Sequence, residues 1–156
     1  MLHDNKELFE QAVLKTSEFL NIEPAIIEKD YYVTLFLREL SRKRSDIVFK
    51  GGTSLSKCYG IIKRFSEDID LNVEGENKPT EGERRALKKD IEAVIDKLNF
   101  RLANDSEIFS RRDFNKYIIE YPVTLGASYL KSQIIVETAV FFRAYPNERR
   151  QVTNYI

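Results

Sequence analysis

Residues 49–73, FKGGTSLSKCYGIIKRFSEDIDLNV, hold the groups best suited to do chemistry. Asp68 and Asp70 are separated by one apolar residue, Ile69. In a strand, alternate side chains share a face, so the two carboxylates point one way while Ile69 and Leu71 point the other. Two like charges held together repel, and a divalent cation relieves that repulsion. Hard oxygen donors suit Mg²⁺ or Mn²⁺, which bridge to phosphates. About one helix length earlier, Gly51-Gly52 provides a turn that can approach a ligand closely, followed by the hydroxyls of Thr53, Ser54 and Ser56. Lys50 and Lys57 stand on either side of that turn as candidate phosphate contacts. The spacing matches neither a P-loop nor the GxGxxG dinucleotide fingerprint.

The flanking patterns supply the elements that must hold this stretch. Leu8, Phe9, Ala12, Val13, Phe19 and Leu20 recur at helical period over 6–20, and Asn21 ends that helix. Pro24 opens a second helix whose Ile26, Ile27, Val33, Leu35, Phe36, Leu37 and Leu40 make it largely buried. Its charged cluster Glu28-Lys29-Asp30 reads first as an exposed, locally paired face, with the wall of a site as the alternative. Residues 46–50 form a strand, and the helix after the glycine turn carries Leu55, Tyr59 and Ile62 on its apolar side, together with the lone Cys58 as an inert core thiol. Residues 65–73 form the next strand. Thr80 and Glu83 have capping-box spacing ahead of Leu87, Ile91, Val94, Ile95 and Leu98. Strands follow at 114–121 and 132–142.

GGTSLSK followed by RFSEDIDL resembles the nucleotidyltransferase core of the AbiEii/AbiGii toxin family, within the DNA-polymerase-β-like superfamily. Glu28-Lys29-Asp30-Tyr31 resembles that family's EKD-Y segment. The resemblance runs from 22 to 73 and more weakly to 142. It implies an α+β fold with a mixed sheet flanked by helices and a helical N-terminal segment. It also implies Mg²⁺-dependent transfer of a nucleotidyl group from an NTP, as the toxin of a type IV toxin–antitoxin or abortive-infection system with a cognate antitoxin. For some relatives it suggests an RNA acceptor such as a tRNA 3′ end. The family pattern asks for a third carboxylate on a later strand: Glu137 is the first candidate for catalysis and metal binding, and Glu120 competes with it. Nucleotide contacts are expected from Gly51, Gly52, Thr53, Ser54, Lys57, Arg64, Ser66 and Lys131.

Composition excludes other classes. Lys+Arg and Asp+Glu both number 25, so no global field draws the chain to polyanions. Arg42-Lys43-Arg44, Arg84-Arg85-Lys88-Lys89 and Arg111-Arg112 are local basic groups that either contact RNA phosphates or serve as solvated faces. The single His3, read as exposed, lies far from every motif and leaves no histidine base for a nucleophilic triad. One cysteine permits no internal disulfide, and no apolar run approaches the roughly 20 residues of a membrane span. A soluble, cytoplasmic protein is expected: one domain with N-terminal helices over 6–44 and a catalytic core over 46–142. The polar end of the chain suggests a piece of a longer protein, and the family resemblance implies a C-terminal helical region after the sheet that this chain lacks. Two alternatives remain open, a transferase acting on a small molecule or protein hydroxyl and a non-catalytic nucleotide- or antitoxin-binding module.

Overall fold

The computed structural model describes residues 1–61, 68–104, 109–111, 113–125, 132–142 and 146–156. Two helices lead the chain, α1 (Lys6–Leu20) and α2 (Pro24–Lys43), preceded by a 3-10 turn at Leu2–Asp4. The Asn5 side chain caps α1 by accepting from the Leu8 N–H, and Asn21, at φ 52°, ends it in the left-handed region that asparagine tolerates. Pro24 opens α2, where its missing N–H costs no helical hydrogen bond. Then come β1 (Ile47–Lys50), α3 (Gly51–Lys57), β2 (Asp68–Val73), α4 (Glu81–Lys97), β3 (Arg101–Leu102), β4 (Phe109–Arg111), β5 (Phe114–Glu120) and β6 (Gln133–Ala139). Thr80 and Glu83 form the expected capping box at the start of α4.

Among the described residues the sheet has the order β1-β2-β6-β5-β3, with β4 also on β5. β2 and β6 run parallel and the other pairs antiparallel, so the sheet is mixed as the family resemblance implied. Alternation along the strands gives it two unlike faces. Ile69, Leu71 and Val73 of β2, Ile134 and Val136 of β6, and Tyr117 and Ile119 of β5 are buried. They join one core with Phe9 and Val13 of α1, Ile27, Phe36 and Leu40 of α2, and Leu87, Ile91, Val94 and Ile95 of α4. Asp68, Asp70, Glu137 and Lys116 alternate with those positions and so belong to the opposite face.

Three expectations are corrected. Glu28, Lys29 and Asp30 are buried rather than an exposed face. Glu28 Oε1 accepts a 2.7 Å hydrogen bond from the Thr124 N–H, and burial holds its carboxyl above the ordinary range. His3 is tucked in rather than exposed: its side chain is 13% accessible, Nδ1 lies 2.9 Å from the Tyr31 hydroxyl in a hydrogen bond, and its ring packs near Phe9, Tyr31 and Tyr32. Leu55 of α3 and Tyr59 just beyond it are exposed while Thr53, Ser54 and Lys57 are buried, and Cys58 is only half-buried. Ile62 lies outside the described residues. The reason is the partner: Lys57 Nζ is 2.5 Å from Asp30 Oδ1, and the two side chains are 5% and 7% accessible.

That pair joins α3 to α2 from inside. Burial pushes the Asp30 carboxyl up and the Lys57 amine down, and each charge pulls the other back toward its ionised form. The segment near the chain end reaches the same point. The Tyr155 N–H donates to Asp30 Oδ2 at 3.1 Å, and Thr153 donates from both N–H and hydroxyl to the Lys57 carbonyl at the end of α3. Removing one buried charge leaves the other uncompensated, which costs about 3–5 kcal/mol. Asp30→Asn should lose stability on that scale in chemical denaturation, whereas Asp30→Leu with Lys57→Met should lose much less. Equal losses in the two variants would contradict this role for the pair.

Candidate active site

The site forms where α3 meets the open face of the sheet. Gly51 begins α3 at φ +76°, a conformation that disfavours any side chain. Space reinforces the choice, because a Cβ at Gly51 would fall on Asp70 Oδ2. The glycine turn and the acidic strand, read separately in the sequence, are therefore one packed unit. Thr53 strengthens it by donating its hydroxyl to the Asp68 carbonyl. Ser54 Oγ donates to the Gly51 carbonyl at 2.8 Å and Ser56 Oγ to that of Thr53 at 2.9 Å.

Several expected nucleotide contacts thus have other work. The hydroxyls of Thr53 and Ser54 are buried and donate to main-chain carbonyls, and Lys57 is buried against Asp30, so in this structure these side chains hold the turn in place. Gly51 and Gly52 remain at the turn itself. Arg64, Ser66 and Lys131 lie outside the described residues.

Strand register then assembles the acids. Asp70 is the direct partner of Glu137 across the parallel β2–β6 pair, and Asp68 is the partner of Ile135 two positions earlier. Directly paired residues share a face, so Asp68, Asp70 and Glu137 form one acidic group. Glu120 is kept apart at the far end of β5, tied to Arg101 and to Gln133 Nε2 at 3.2 Å. The Asp70 carboxyl is pushed above its ordinary range, first by burial and then by the negative charges of Glu137 and Asp68, with Lys50 pulling it partly back.

Sequence reading missed Lys116. It is the antiparallel partner of Glu137, and its Nζ lies 2.8 Å from Glu137 Oε1. Glu137 holds the Lys116 amine above its ordinary range, and the Asp68 charge adds to the effect. No local signal marks Lys116, because its role depends on the register between β5 and β6.

The group consists of carboxylates on one face, and burial first, then the neighbouring charges, makes Asp70 resist ionisation. As the side chains stand, no group of three or more His, Cys, Asp or Glu among the described residues converges to hold an ion, and Glu137 is paired with Lys116. Asp68, Asp70 and Glu137 are hard oxygen donors on one face of the sheet, the kind of group a divalent cation takes.

The basic groups are mostly tied into the fold. Arg42 meets Glu39, Lys43 and Arg44 meet Asp90, Arg44 also meets Asp46, Arg84 meets Asp113, Arg85 meets Glu81 and Lys88 meets Glu92. The side chains of Arg111 and Arg112 lie outside the described residues. Among the described residues no helix is long and apolar enough to cross a membrane.

A family model described as "Nucleotidyl transferase AbiEii toxin, Type IV TA system" matches residues 35–156. No curated protein and no solved structure matches the chain.

The raised carboxyl of Asp70 sets a pH dependence. Its protonated form favours the fold, so its contribution is present below the ordinary carboxylate range, near about pH 4, and is lost as pH rises through its folded-state pKa. In the presence of a chelator, Asp70→Asn should raise the thermal midpoint at about pH 8, and the gain should shrink toward zero near about pH 4. A variant less stable than the parent at the higher pH would refute the cost of ionising Asp70 in its half-buried, acid-flanked place.

Proposed function

The chain belongs to the AbiEii nucleotidyl transferase toxin family of type IV toxin–antitoxin systems, and on that premise we propose that it is a metal-dependent nucleotidyltransferase moving a nucleotidyl group from an NTP to an acceptor hydroxyl. The observation that carries this reading is the packing of Gly51 against Asp70, with Glu137 in register beside it. A glycine turn for phosphate and acids for cations are thereby joined at one point, which is the arrangement that nucleotidyl transfer requires.

Asp68 and Asp70, joined by Glu137, hold Mg²⁺ or Mn²⁺. When bound, the metal supplies charge neutralisation at the α-phosphate and alignment of the attacking oxygen. The side-chain-free turn at Gly51-Gly52 lets the triphosphate lie against main chain, and Asp30, Lys57 and Thr53 keep that turn fixed. Glu137 takes the proton from the acceptor hydroxyl as its oxygen attacks the α-phosphorus and pyrophosphate departs. Lys50, the strand partner of Asp70, places a positive charge beside the acids.

The acceptor is an RNA, such as the 3′ end of a tRNA, and the protein works in the cytoplasm under control of a cognate antitoxin. Membership of a type IV toxin–antitoxin family supports control by an antitoxin.

Incubation with each labelled NTP, Mg²⁺ and total RNA tests the proposal. Label should pass to RNA with one nucleotide preferred, and Asp70→Asn should abolish transfer. Label on a protein or small-molecule fraction would move the acceptor class. NTP binding with no transfer to any fraction, or transfer unaffected by Asp70→Asn, would overturn the catalytic reading.

A further inference from the structure

Four charged residues form a single row across the open face. Lys50 is the direct strand partner of Asp70, Asp70 of Glu137, and Glu137 of Lys116, so the row crosses β1, β2, β6 and β5 with the signs plus, minus, minus, plus. Adjacent strands lie about 4.8 Å apart, close enough for each side chain to feel its neighbour's charge. Asp68, two residues from Asp70 on the same face, adds a third carboxylate.

The protein contains two lysine–carboxylate pairs of opposite character. Lys57–Asp30 is sealed in the interior, with both side chains under a tenth accessible. Lys116–Glu137 is open to solvent, with side chains 36% and 28% accessible, on the face where the acids gather. An open pair of this kind contributes little to folding and separates readily. Its position matters more than its stability, because Lys116 Nζ holds one of the two oxygens of the carboxylate that a cation shared with Asp70 would draw on.

We infer that Lys116 is a built-in counter-ion that positions Glu137 in the metal-free protein and yields that carboxylate when a divalent cation enters. The inference rests on the metal-binding reading of Asp68, Asp70 and Glu137. The lysine neutralises part of the acidic group while the site is empty, and it competes with the cation for Glu137. Once displaced from Glu137, its ammonium stands at the edge of the site, placed to meet an incoming phosphate.

Mn²⁺ binding followed by electron paramagnetic resonance, without nucleotide, tests this apart from catalysis. Lys116→Met should bind Mn²⁺ roughly tenfold more tightly than the parent, as removal of an adjacent positive charge and release of a ligand require. Lys116→Arg should return to near-parental affinity. Glu137→Gln should weaken binding, and Lys116→Met added to Glu137→Gln should recover much less than the gain seen in the single variant. Unchanged or weaker binding by Lys116→Met, or a gain that persists undiminished without Glu137, would overturn the inference. Parent binding no tighter than that of an Asp68→Asn, Asp70→Asn double variant would instead overturn the metal reading on which it rests. Circular dichroism of each variant separates loss of the fold from loss of the site.

Discussion

A parallel pairing between β2 and β6, strands separated by most of the catalytic core, sets Asp70 directly opposite Glu137, and the remainder of the site depends on that register. A slip of one residue would turn every side chain of β6 to the other face, placing Glu137 in the core and Val136 among the acids. The burial of Ile134 and Val136 against the helical layer forbids it. The apolar half of each strand thus holds the polar half in place, and the acids lie together because their neighbours must be buried. Like-charge repulsion among them opposes the arrangement, and Lys50 and Lys116 at the two ends of the row offset part of it.

The glycine turn is held by a second set of interactions, on the inner side of α3. A short helix of seven residues has little intrinsic stability, so its position must come from tertiary contacts. Lys57 reaches Asp30 in α2, Thr53 reaches the Asp68 carbonyl, and residues 153 and 155 close over the pair. Buried ion pairs seldom add net stability over apolar packing, yet they enforce one arrangement because any other leaves a charge unpaired. Here the enforced arrangement is the one that brings Gly51 against Asp70. Asp30 of the second helix is thereby connected to Lys57, 27 residues on in the helix that begins at the turn.

Much of this was legible from residue order, because it depends on local rules. Period-two alternation around Asp68-Ile69-Asp70 and around Glu137 separates acid from core in each strand, and Asn21, Pro24 and Thr80 mark helix ends by short-range backbone chemistry. What escaped depends on distant partners. Glu28-Lys29-Asp30 looks like a solvated face until Lys57 and Thr124 are brought to it. Leu55 and Tyr59 look like the inner side of α3 by apolar periodicity, but the short helix turns its polar side inward toward a carboxylate and a carbonyl. Lys116 resembles an ordinary strand lysine until β5 and β6 are in register, and His3 looks free until Tyr31 is placed beside it.

The acidic row therefore has two partners in prospect, the lysines it already holds and a cation that would replace one of them. Crystals of the protein grown with Mn²⁺ and a non-hydrolysable NTP analogue would decide between an occupied and an idle site. Anomalous scattering should place manganese about 2.2 Å from carboxylate oxygens of Asp68 and Asp70, with the triphosphate along Gly51-Gly52 and Lys116 turned away from Glu137. Manganese absent from these carboxylates, with Lys116 still bound to Glu137 and the nucleotide elsewhere, would contradict the account.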